Sequence, residues 1–392
     1  MVSLHKHKAL IFGSGLVYRL IIEDVCDLYE VVAILDNDSN KQGLSLNNTT
    51  ILSPDCIKNI HFDVIILASS DVVNMAKQLN NLGISHDRMI VGANYALNKY
   101  FNKTSNKIDF FIDYNSNILI DNAFNKDGLI CVDAFFDKKI VFHKNNIPTL
   151  LGLCDENNRI PSYFELSKKH YGNQKGIFLD IGANIGTSSL EAISFEQVSQ
   201  CIAFEPSSDN FALLSTNIAI NHLNKNIISY QYAVSDIAQK SNLLLSDVCS
   251  GDNMLTVYNT SSVDSQLKNH SKNEVVETIV IDDFFVNQLN EIRFLWIDVQ
   301  GYEYFVLQGC KKLLNTGLVS VQIEYWPYGL RKTNSLETLN QLLTEEFRFF
   351  IDLNEYKNSE SAIYNIQDIW NLETKLLKKG QKAHTDLFLI KR

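Results

Sequence analysis

The chain has 392 residues, which exceeds the size of one ordinary domain, so its length predicts two domains. Hydrophobic residues make up 45% of the sequence and charged residues 20%, a balance typical of a globular protein that excludes a disordered chain. The formal net charge of -10 argues against a general affinity for nucleic-acid backbones, so we expect no nucleic-acid partner.

Cysteines and apolar runs bear on where the protein is found. The seven cysteines are scattered and form no CxxC pair, so they indicate neither a disulfide framework nor a zinc cluster. No apolar run approaches the roughly 20 residues that span a bilayer. A short apolar run follows the basic start of the chain, but Gly-Ser-Gly at 13–15 interrupts it, which favours a strand and turn over a signal peptide. We therefore expect a cytoplasmic protein without a membrane span.

Strand and helix patterns alternate in the first predicted domain, residues 1–97. The apolar spacing predicts strands over 8–12, 31–36 and 63–69, and helices over 16–25 and 72–83. This order predicts an α/β fold with a small, Rossmann-like parallel sheet.

The first turn of this domain and an acid after its second strand indicate a ligand site. Gly13 and Gly15 allow backbone N–H groups at the helix start to approach a phosphate, and Asp36 lies where an acid can bind ribose hydroxyls. Tyr18 replaces the third glycine of the dinucleotide fingerprint, which disfavours NAD. Two interpretations stay open: a nucleotide-binding domain, or a docking or dimerisation unit that binds no ligand and forms a homo-oligomer.

Three segments of this domain, "AILDNDSNKQG", "ILSPD" and "FDVIILASS", carry a family resemblance. They are similar to the nucleotide-sugar-binding N-terminal domain of bacterial sugar acyltransferases. The resemblance implies that the first domain binds a nucleotide or a nucleotide sugar.

Residues 98–158 form a less regular connecting segment. Lys-Asp-Gly at 126–128 predicts a hairpin turn, and 129–134 predicts a short strand. Because the segment is rich in aromatic residues that would otherwise form an exposed apolar patch, we expect it to pack on the second domain.

The second predicted domain, 159–392, contains a glycine loop. "FLDIGANIG" at 178–186 follows a predicted helix over 162–172 and has the pattern of a strand, a loop and a helix start, without the lysine of a Walker phosphate loop. The next strand ends in Glu205, roughly 20 residues beyond the loop, where an acid can bind a ribose diol. A third predicted strand, 228–236, ends in Ser235 and Asp236, and the aspartate can accept from an adenine amine. Three successive strand ends thus predict an adenosine pocket.

The loop also favours one adenosine cofactor over another. It lacks the further glycines that a pyrophosphate requires, which disfavours NAD and favours S-adenosylmethionine. Asp180 agrees with this choice, because a carboxylate beside the loop repels a pyrophosphate and suits the cationic methionine end of S-adenosylmethionine.

The segments "FLDIGANIGTSS", "AFEPS", "AVSD", "TIVIDDFF", "WIDVQGYEYFVLQG", "VQIEYWP" and "HTDLFLIKR" follow one another in this domain. Their order and context resemble FkbM-family S-adenosylmethionine-dependent methyltransferases. The resemblance implies a seven-stranded class I methyltransferase domain, Rossmann-like in fold, and the O-methylation of hydroxyls on sugars or polyketide-type natural products.

The resemblance also implies cofactor contacts. It assigns the methionine end to Asp180, Gly182, Asn184 and Gly186, the ribose to Glu205, and the adenine to the turn at Ser235 and Asp236. The commonest family form reads Lys-Ile-Asp-Val-Glu-Gly where this chain has Trp296 in place of the lysine and Gln300 in place of the glutamate. Loss of that lysine removes one candidate base or cation.

Three acids are candidate catalytic residues. Asp298 follows a central strand at the edge where open α/β sheets bind ligands, Glu303 begins the next helix, and Glu324 lies on the same rim. Asp298 is the candidate base for the acceptor hydroxyl, and the alternative is a capping or strand-end acid. For Glu303 the alternative is a solvated helix residue. Three acids can hold Mg²⁺, but their spacing has no metal signature, so we assign no metal ligand.

The segment after the Glu324 strand is rich in aromatic residues. Tyr325, Trp326 and Tyr328 offer ring faces that suit the C–H surfaces of sugars, and Arg331 can pair with an acidic group of the acceptor. The alternative is an aromatic lid that packs on the core.

The sequence therefore predicts an O-methyltransferase that uses S-adenosylmethionine. The expected acceptor is a sugar hydroxyl of a surface glycan or of its nucleotide-linked precursor. Two alternatives stay open: methylation of a small natural product, and an inactive two-domain nucleotide-binding scaffold.

Overall fold

The computed structural model describes residues 6–69, 72–85, 88–92, 129–134, 138–143, 159–246, 250–256, 272–356, 363–380 and 383–391. The chain divides into two compact units. The first comprises Met1–Ile130 and Phe142–Asp155, and the second comprises Cys131–Val141 and Glu156–Arg392. The predicted connecting segment, 98–158, is shared between the two units and lies mostly outside the described residues.

The first unit alternates strands and helices as predicted. Its elements are β1 (His7–Phe12), α1 (Leu16–Leu28), β2 (Tyr29–Leu35), β3 (Ser45–Leu46), β4 (Thr49–Leu52), a 3-10 helix (Pro54–Asn59), β5 (Val64–Leu67), α2 (Val72–Asn81) and β6 (Met89–Val91). The sheet order is β3-β4-β2-β1-β5-β6, and β1 pairs in parallel with both β2 and β5. β1 is fully buried from Ala9 to Phe12, which explains its continuous apolar sequence.

The second unit begins with a hairpin and a helix and continues into a large sheet. Its first elements are β7 (Leu129–Ala134), β8 (Lys138–His143), α3 (Arg159–Tyr171), β9 (Gly176–Ile181), α4 (Thr187–Ala192), β10 (Val198–Phe204), α5 (Ser208–Ile220), β11 (Ile227–Tyr230), β12 (Ala233–Val234), β13 (Lys240–Leu245), a 3-10 helix (Ser250–Asp252), β14 (Met254–Leu255) and β15 (Lys272–Ile279). The first residues of β7 and the last of β8 belong to the first unit.

The remaining elements complete the sheet and its helical layers. They are α6 (Ile281–Phe284), a 3-10 helix (Leu289–Glu291), β16 (Ile292–Ile297), α7 (Glu303–Gln308), α8 (Lys311–Asn315), β17 (Ser320–Tyr325), α9 (Pro327–Lys332), α10 (Leu336–Glu346), β18 (Phe349–Asp352), β19 (Tyr364–Asn365), a 3-10 helix (Ile366–Asp368), α11 (Ile369–Leu377) and β20 (Thr385–Ile390).

The main sheet has the order β11-β10-β9-β16-β17-β20-β18-β19, with β20 antiparallel to β17 and to β18. Seven of these strands form the expected methyltransferase sheet, and the two-residue β19 adds an eighth at the edge. The fold is therefore α/β and Rossmann-like, as predicted. The parallel strands β9, β10, β16 and β17 all end at one edge, where the antiparallel β20 begins.

The predicted third strand, 228–236, is wrong as one element. β11 belongs to the main sheet, whereas β12 pairs with Thr278 and Ile279 of β15 in a separate sheet of order β12-β15-β13-β14. The chain leaves the main sheet between Tyr230 and Ala233 because β15 offers β12 a parallel ladder of its own. Ser235 and Asp236 consequently follow a strand of the smaller sheet.

The predicted strand 129–134 is confirmed as β7, while its predicted turn at 126–128 lies outside the described residues. Two asparagines, one in α5 and one directly after it, form hydrogen bonds with the backbone of β8. The backbone N–H of Val141 donates to Asn217 Oδ1 at 2.6 Å, and that of Lys139 donates to Asn221 Oδ1 at 2.8 Å. This part of the predicted connecting segment thus packs within the second unit.

Candidate active site

The glycine loop after β9 is held between two neighbouring strand ends. The backbone N–H groups of Gly182 and Ala183 both donate to the carbonyl of Phe204 at 3.0 Å. Gly182 has a φ of +84°, and a Cβ at this position would lie 1.9 Å from the carbonyl oxygen of Asp298. The loop therefore requires glycine at this position because the end of β16 approaches it so closely.

Glu205 links the end of β10 to the same loop. Its Oε2 accepts from the backbone N–H of Asn184 at 2.9 Å, and its Oε1 accepts from that of Ser207 at 2.9 Å. Asn184 has a φ of +51°, which turns its N–H towards the acid. Burial raises the pKa of Glu205 to about 7 against the opposing effect of these hydrogen bonds.

A cavity opens where these strand ends meet. Its lining includes Gly182, Asn184 and Glu205 from the first two strand ends, and Asp298, Val299 and Gln300 after β16. Three of the predicted cofactor residues thus lie together with the predicted base. Gly186, with a φ of +94°, precedes α4 as its N-cap.

Asp180 does not line this cavity, contrary to its predicted place at the methionine end. It is fully buried, and its Oδ2 accepts from Ser188 Oγ at 2.7 Å and Ser189 Oγ at 2.5 Å. Burial raises the pKa of Asp180 to about 6, and the nearby charge of Asp298 adds to the rise. Asp180 instead holds the first turn of α4, next to the glycine loop, through these two hydrogen bonds.

The turn at Ser235 and Asp236 also lies outside the cavity lining, which is formed there by Ala233 and Val234. Ser235 Oγ donates to Asp236 Oδ1 at 3.0 Å and lies 3.3 Å from the Tyr302 hydroxyl. The predicted adenine contact is displaced because β12 belongs to the smaller sheet, and residues two positions earlier face the cavity instead.

The predicted acids Asp298 and Glu324 are connected by a residue that sequence reasoning did not select. Gln300 Nε2 donates to Asp298 Oδ1 at 2.8 Å and to Glu324 Oε2 at 3.0 Å. His384, just before β20, places its Nε2 3.9 Å from Glu324 Oε1. Gln300 follows the end of β16, and His384 precedes the start of β20 at the same edge of the sheet. Their places next to these strands were the sequence signal that could have selected them.

Glu303 begins α7 as predicted, but it is neither solvated nor part of the cavity lining. Its side chain is fully buried, and Oε1 accepts from the backbone N–H groups of Gly301 at 3.2 Å and Val299 at 3.3 Å. Burial raises the pKa of Glu303 to about 8, although these hydrogen bonds oppose the rise. Glu303 holds the loop that contains Gln300.

Two of the four predicted acceptor residues are engaged elsewhere. Tyr325 is fully buried, and its hydroxyl donates to Asn340 Oδ1 at 3.0 Å, so this ring belongs to the core. The Arg331 guanidinium donates to both carboxylate oxygens of Glu373, at 2.5 and 2.6 Å. Tyr325 is therefore unavailable to an acceptor, whereas Arg331 is half exposed beside Glu373 and its predicted contact with the acceptor stays a prediction.

Trp326 and Tyr328 keep partly exposed rings with centroids 5.4 Å apart. Trp296, which stands in place of the family's lysine, is buried. Its ring is edge-on to the Tyr163 ring at a centroid distance of 5.6 Å. An aromatic core residue therefore occupies the position at which the family form has a cation.

The first unit has a separate candidate site at its glycine turn. Gly13 has a φ of +104°, and a Cβ there would lie 2.5 Å from the Ala68 carbonyl oxygen, while Gly15 caps α1 with open space around it. Asp36 accepts from the backbone N–H of Ser14 at 3.0 Å and from its hydroxyl. Burial alone would raise the pKa of Asp36, but these hydrogen bonds and the nearby Lys41 lower it.

Two features, a metal-binding cluster and a membrane-spanning helix, are absent from the described residues. Among those residues, no group of three or more His, Cys, Asp or Glu side chains could hold a metal ion. In the same part of the chain, no helix combines the length and apolar character that crossing a bilayer requires.

Comparisons with known proteins agree with the second-unit fold. Residues 180–356 match the family model described as "Methyltransferase FkbM domain", and residues 5–90 match "C2185-like, N-terminal". No curated protein matches the chain.

Solved structures were also compared. A methyltransferase FkbM from Methylobacillus flagellatus KT is 13% identical with a TM-score of 0.34, covering 98% of this chain and 90% of that chain. The tRNA methyltransferase TrmK of B. subtilis is 10% identical with a TM-score of 0.31, covering 60% of this chain and 65% of that chain. The UDP-D-quinovosamine 4-dehydrogenase of Vibrio fischeri is 22% identical with a TM-score of 0.19, covering 22% of this chain and 75% of that chain. On the family match over residues 180–356, the chain is a methyltransferase with an FkbM domain in its second unit.

Proposed function

We propose that the second unit transfers a methyl group from S-adenosylmethionine to a hydroxyl oxygen. The observation that supports this most is the cavity at the ends of β9, β10 and β16, where the buried acid Glu205 and the base candidate Asp298 line one space. Asn184 Oδ1 is buried there and finds no hydrogen-bond partner among the described residues, so it offers an acceptor to a ligand. These groups fit an adenosine compound with a cationic end.

Each residue has a proposed task. Glu205 would accept from the ribose hydroxyls, and Asn184 Oδ1 would accept from a donor group of the cofactor. Gly182 has no side chain, so the loop can approach the end of β16, which brings the loop and Asp298 to one cavity. When bound, S-adenosylmethionine supplies a methyl group already activated on sulfonium, so the protein mainly aligns the acceptor and removes its proton.

We propose Asp298 as the group that accepts this proton. It is partly exposed, lines the cavity and is held by Gln300, so its carboxylate is both oriented and accessible. A carboxylate is a weak base for an alcohol, and it would therefore act late, as the oxygen becomes acidic during attack. Glu324, on the other side of Gln300, would contact the acceptor rather than take the proton.

The proposed acceptor is a sugar hydroxyl of a surface glycan or of its nucleotide-linked precursor. The partly exposed rings of Trp326 and Tyr328 support this choice, since aromatic faces pack on the C–H surfaces of sugars. A small natural product with a hydroxyl is the second candidate. The first unit would bind a nucleotide or nucleotide sugar separately, through its glycine turn and Asp36.

Two further points concern the cellular location and the need for a metal ion. We propose a cytoplasmic location, supported by Cys26, Cys56, Cys201 and Cys310, which form no disulfide in the described part of the chain. No ligand is assigned to Mg²⁺, and activity measured with and without EDTA tests whether this ion takes part.

The function is tested by supplying labelled methyl donor to a panel of acceptors. S-adenosylmethionine with a labelled methyl group would be incubated with UDP-, GDP- and dTDP-sugars, free sugars and phenolic or polyketide hydroxyl compounds. We expect label in a sugar product whose mass rises by one CH₂ group. Transfer only to natural-product hydroxyls would replace the proposed acceptor, and failure of S-adenosylhomocysteine to bind the folded protein in calorimetry would overturn the cofactor.

A further inference from the structure

Gln300 makes an unusual pair of contacts at the cavity edge. Its single side-chain nitrogen lies 2.8 Å from Asp298 Oδ1 and 3.0 Å from Glu324 Oε2. An amide NH₂ group has two hydrogens, so each hydrogen is directed to one carboxylate. Gln300 thereby connects an acid after β16 with an acid on β17.

The backbone around Gln300 is built to hold this amide in place. Gln300 has a φ of +55°, a left-handed conformation that side chains other than glycine seldom adopt. Gly301 packs so tightly on Gly329 that a Cβ would lie 2.4 Å from its carbonyl carbon. Glu303 accepts from the N–H groups on both sides of Gln300. The loop therefore holds the backbone of Gln300 in one conformation, which orients its side-chain amide.

The groups that face this pair are mostly acids. The buried acids Asp180 and Glu303 face Asp298 from β9 and α7, as their raised pKa values reflect. Across the pair, His384 faces Glu324 from the start of β20. Neighbouring carboxylates disfavour each other's ionised forms, whereas hydrogen bonds donated to a carboxylate favour its ionised form.

Resting on the proposed function, we propose that Gln300 is a positioning residue that keeps both acids ionised and gives them different tasks. Asp298, on the cavity side, accepts the hydroxyl proton of the acceptor. Glu324, on the β20 side beside His384, accepts a hydrogen bond from the acceptor and orients it. The amide at position 300 thus supplies a donor where a third carboxylate would repel the other two.

The proton step balances within the chain's own groups. The O–H bond of the acceptor breaks, its proton forms an O–H bond with the Asp298 carboxylate, and the electron pair stays on the acceptor oxygen. That pair would form the bond to the transferred methyl carbon as the carbon–sulfur bond of the bound donor breaks, and the electrons of that bond would stay on sulfur, which leaves as a neutral thioether. Gln300 donates hydrogen bonds throughout and changes neither its charge nor its protonation.

Three variants test this assignment. Gln300→Met keeps most of the side-chain volume and removes both donors, and Gln300→Glu keeps the shape and adds a charge. The double variant Gln300→Glu with Glu324→Gln keeps one amide and two carboxylates but moves the amide to the end of the row, so Asp298 loses its donor and lies beside a carboxylate. Gln341→Glu is the matched control, because Gln341 is an exposed amide that donates to Glu345 on the surface of α10.

One readout does not require turnover. Calorimetry in two buffers gives the protons released when the full-length protein binds S-adenosylmethionine, a cation, and the neutral S-adenosylhomocysteine. For wild type we expect equal proton release with both ligands at neutral pH. For Gln300→Glu we expect extra release with the cation only, because the third acid leaves one carboxylate protonated until a cation approaches. Extra release in wild type as large as in Gln300→Glu would overturn the inference.

The second readout is methyl transfer across pH, using the acceptor found in the panel. We expect kcat of Gln300→Met to fall by on the order of 10²-fold at neutral pH, with a much smaller change in KM. The acidic limb should move to higher pH in both single variants and stay there in the double variant, because Asp298 still lacks the amide donor. A wild-type pH profile in Gln300→Met or in the double variant would refute the positioning role. If wild-type protein binds neither S-adenosylmethionine nor S-adenosylhomocysteine, the proposed function itself is refuted.

Discussion

At the scale of single residues, the second unit places three carboxylates in burial deep enough to alter their protonation. The pKa is raised by burial to about 6 for Asp180, about 7 for Glu205 and about 8 for Glu303. Only Glu205 also lines the cavity. The same physical effect therefore has different consequences: it bears on ligand binding for Glu205 and on folding for Glu303.

Replacing Glu205 by alanine should weaken the binding of S-adenosylhomocysteine by on the order of 1–3 kcal/mol, because charge-assisted hydrogen bonds to the ribose are lost. Wild-type affinity should rise as pH increases through about 7, where the acid ionises. Calorimetry between pH 6 and 8 measures both effects. Glu196→Ala, on an exposed side chain of the same unit, is the control. Unchanged affinity in Glu205→Ala would remove Glu205 from the cofactor site.

Asp298→Asn keeps the side-chain shape and removes the proposed base. Turnover should fall by roughly 10²- to 10⁴-fold while the fold and most of the affinity for S-adenosylhomocysteine remain. Steady-state kinetics and calorimetry on the same preparation measure the two quantities. Turnover close to wild type would make Asp298 a structural acid. A loss of wild-type activity in EDTA that Mg²⁺ restores would show that a metal takes part.

Glu303 predicts how stability depends on pH. Its folded pKa of about 8 exceeds its ordinary value of 4.5, so the folded state retains a proton that the unfolded chain has released between these values. Its contribution is complete below pH 4.5 and is lost as pH rises through 8, with a slope of up to about 1.4 kcal/mol per pH unit. Glu303→Gln cannot ionise. The Tm of this variant relative to wild type should therefore increase from pH 5 to pH 8, and a constant difference in thermal scans would contradict the buried state of Glu303.

At the scale of elements, the site depends on how closely two strand ends meet. The loop after β9 contacts the end of β16 at Gly182, and β10 receives two backbone hydrogen bonds from the same loop. Asp282 shows another long-range connection, since its carboxylate accepts from the N–H groups of Lys312 and Leu313 at the start of α8. Contacts between elements thus position groups that are far apart along the chain.

Gly182→Ala should disrupt this meeting point. Its Cβ would lie 1.9 Å from the Asp298 carbonyl oxygen, so one strand end must move, and we expect roughly 1–3 kcal/mol of destabilisation and the loss of cofactor binding. Gly172→Ala is the matched control, because Gly172 has a similar φ of +81° but no atom within 4 Å of the added Cβ. Chemical denaturation and calorimetry compare the two variants. Equal effects would attribute the loss to backbone conformation rather than to the close approach.

At the scale of the whole molecule, each unit contains a sheet with a parallel core and a glycine turn after one strand of it, β1 in the first unit and β9 in the second. In both units an acid accepts from a backbone N–H of the turn, Asp36 from Ser14 and Glu205 from Asn184. The two acids differ in charge state, because Lys41 and hydrogen bonds lower the pKa of Asp36, whereas burial raises that of Glu205 to about 7. The two turns are therefore expected to bind different ligands.

We expect a UDP-, GDP- or dTDP-sugar to raise the Tm of the full chain through the first unit, and Asp36→Ala to remove that shift while the shift with S-adenosylhomocysteine remains. A thermal-shift panel that includes NAD and NADP measures this. Stabilisation by NAD or NADP alone would overturn the preference for a nucleotide sugar. No response to any nucleotide would favour a docking or dimerisation role.

Much of this organisation was predictable from local patterns. Alternating apolar segments predicted the α/β fold, and acids directly after strands predicted that Glu205 and Asp298 lie at one edge, because parallel strands end together. The glycine loop was recognisable because its conformation requires residues without side chains. These features depend on neighbours in the chain, which a sequence displays directly.

Tertiary structure decided which groups are available at that edge. Tyr325 and Arg331 were predicted to contact an acceptor, but Asn340 and Glu373 on later helices bond them. Gln300 was noted only as a departure from the family, yet its amide connects Asp298 and Glu324. Hydrogen-bond partners distant in sequence determine these outcomes, because a polar side chain bonds whichever group the packed fold brings within about 3 Å.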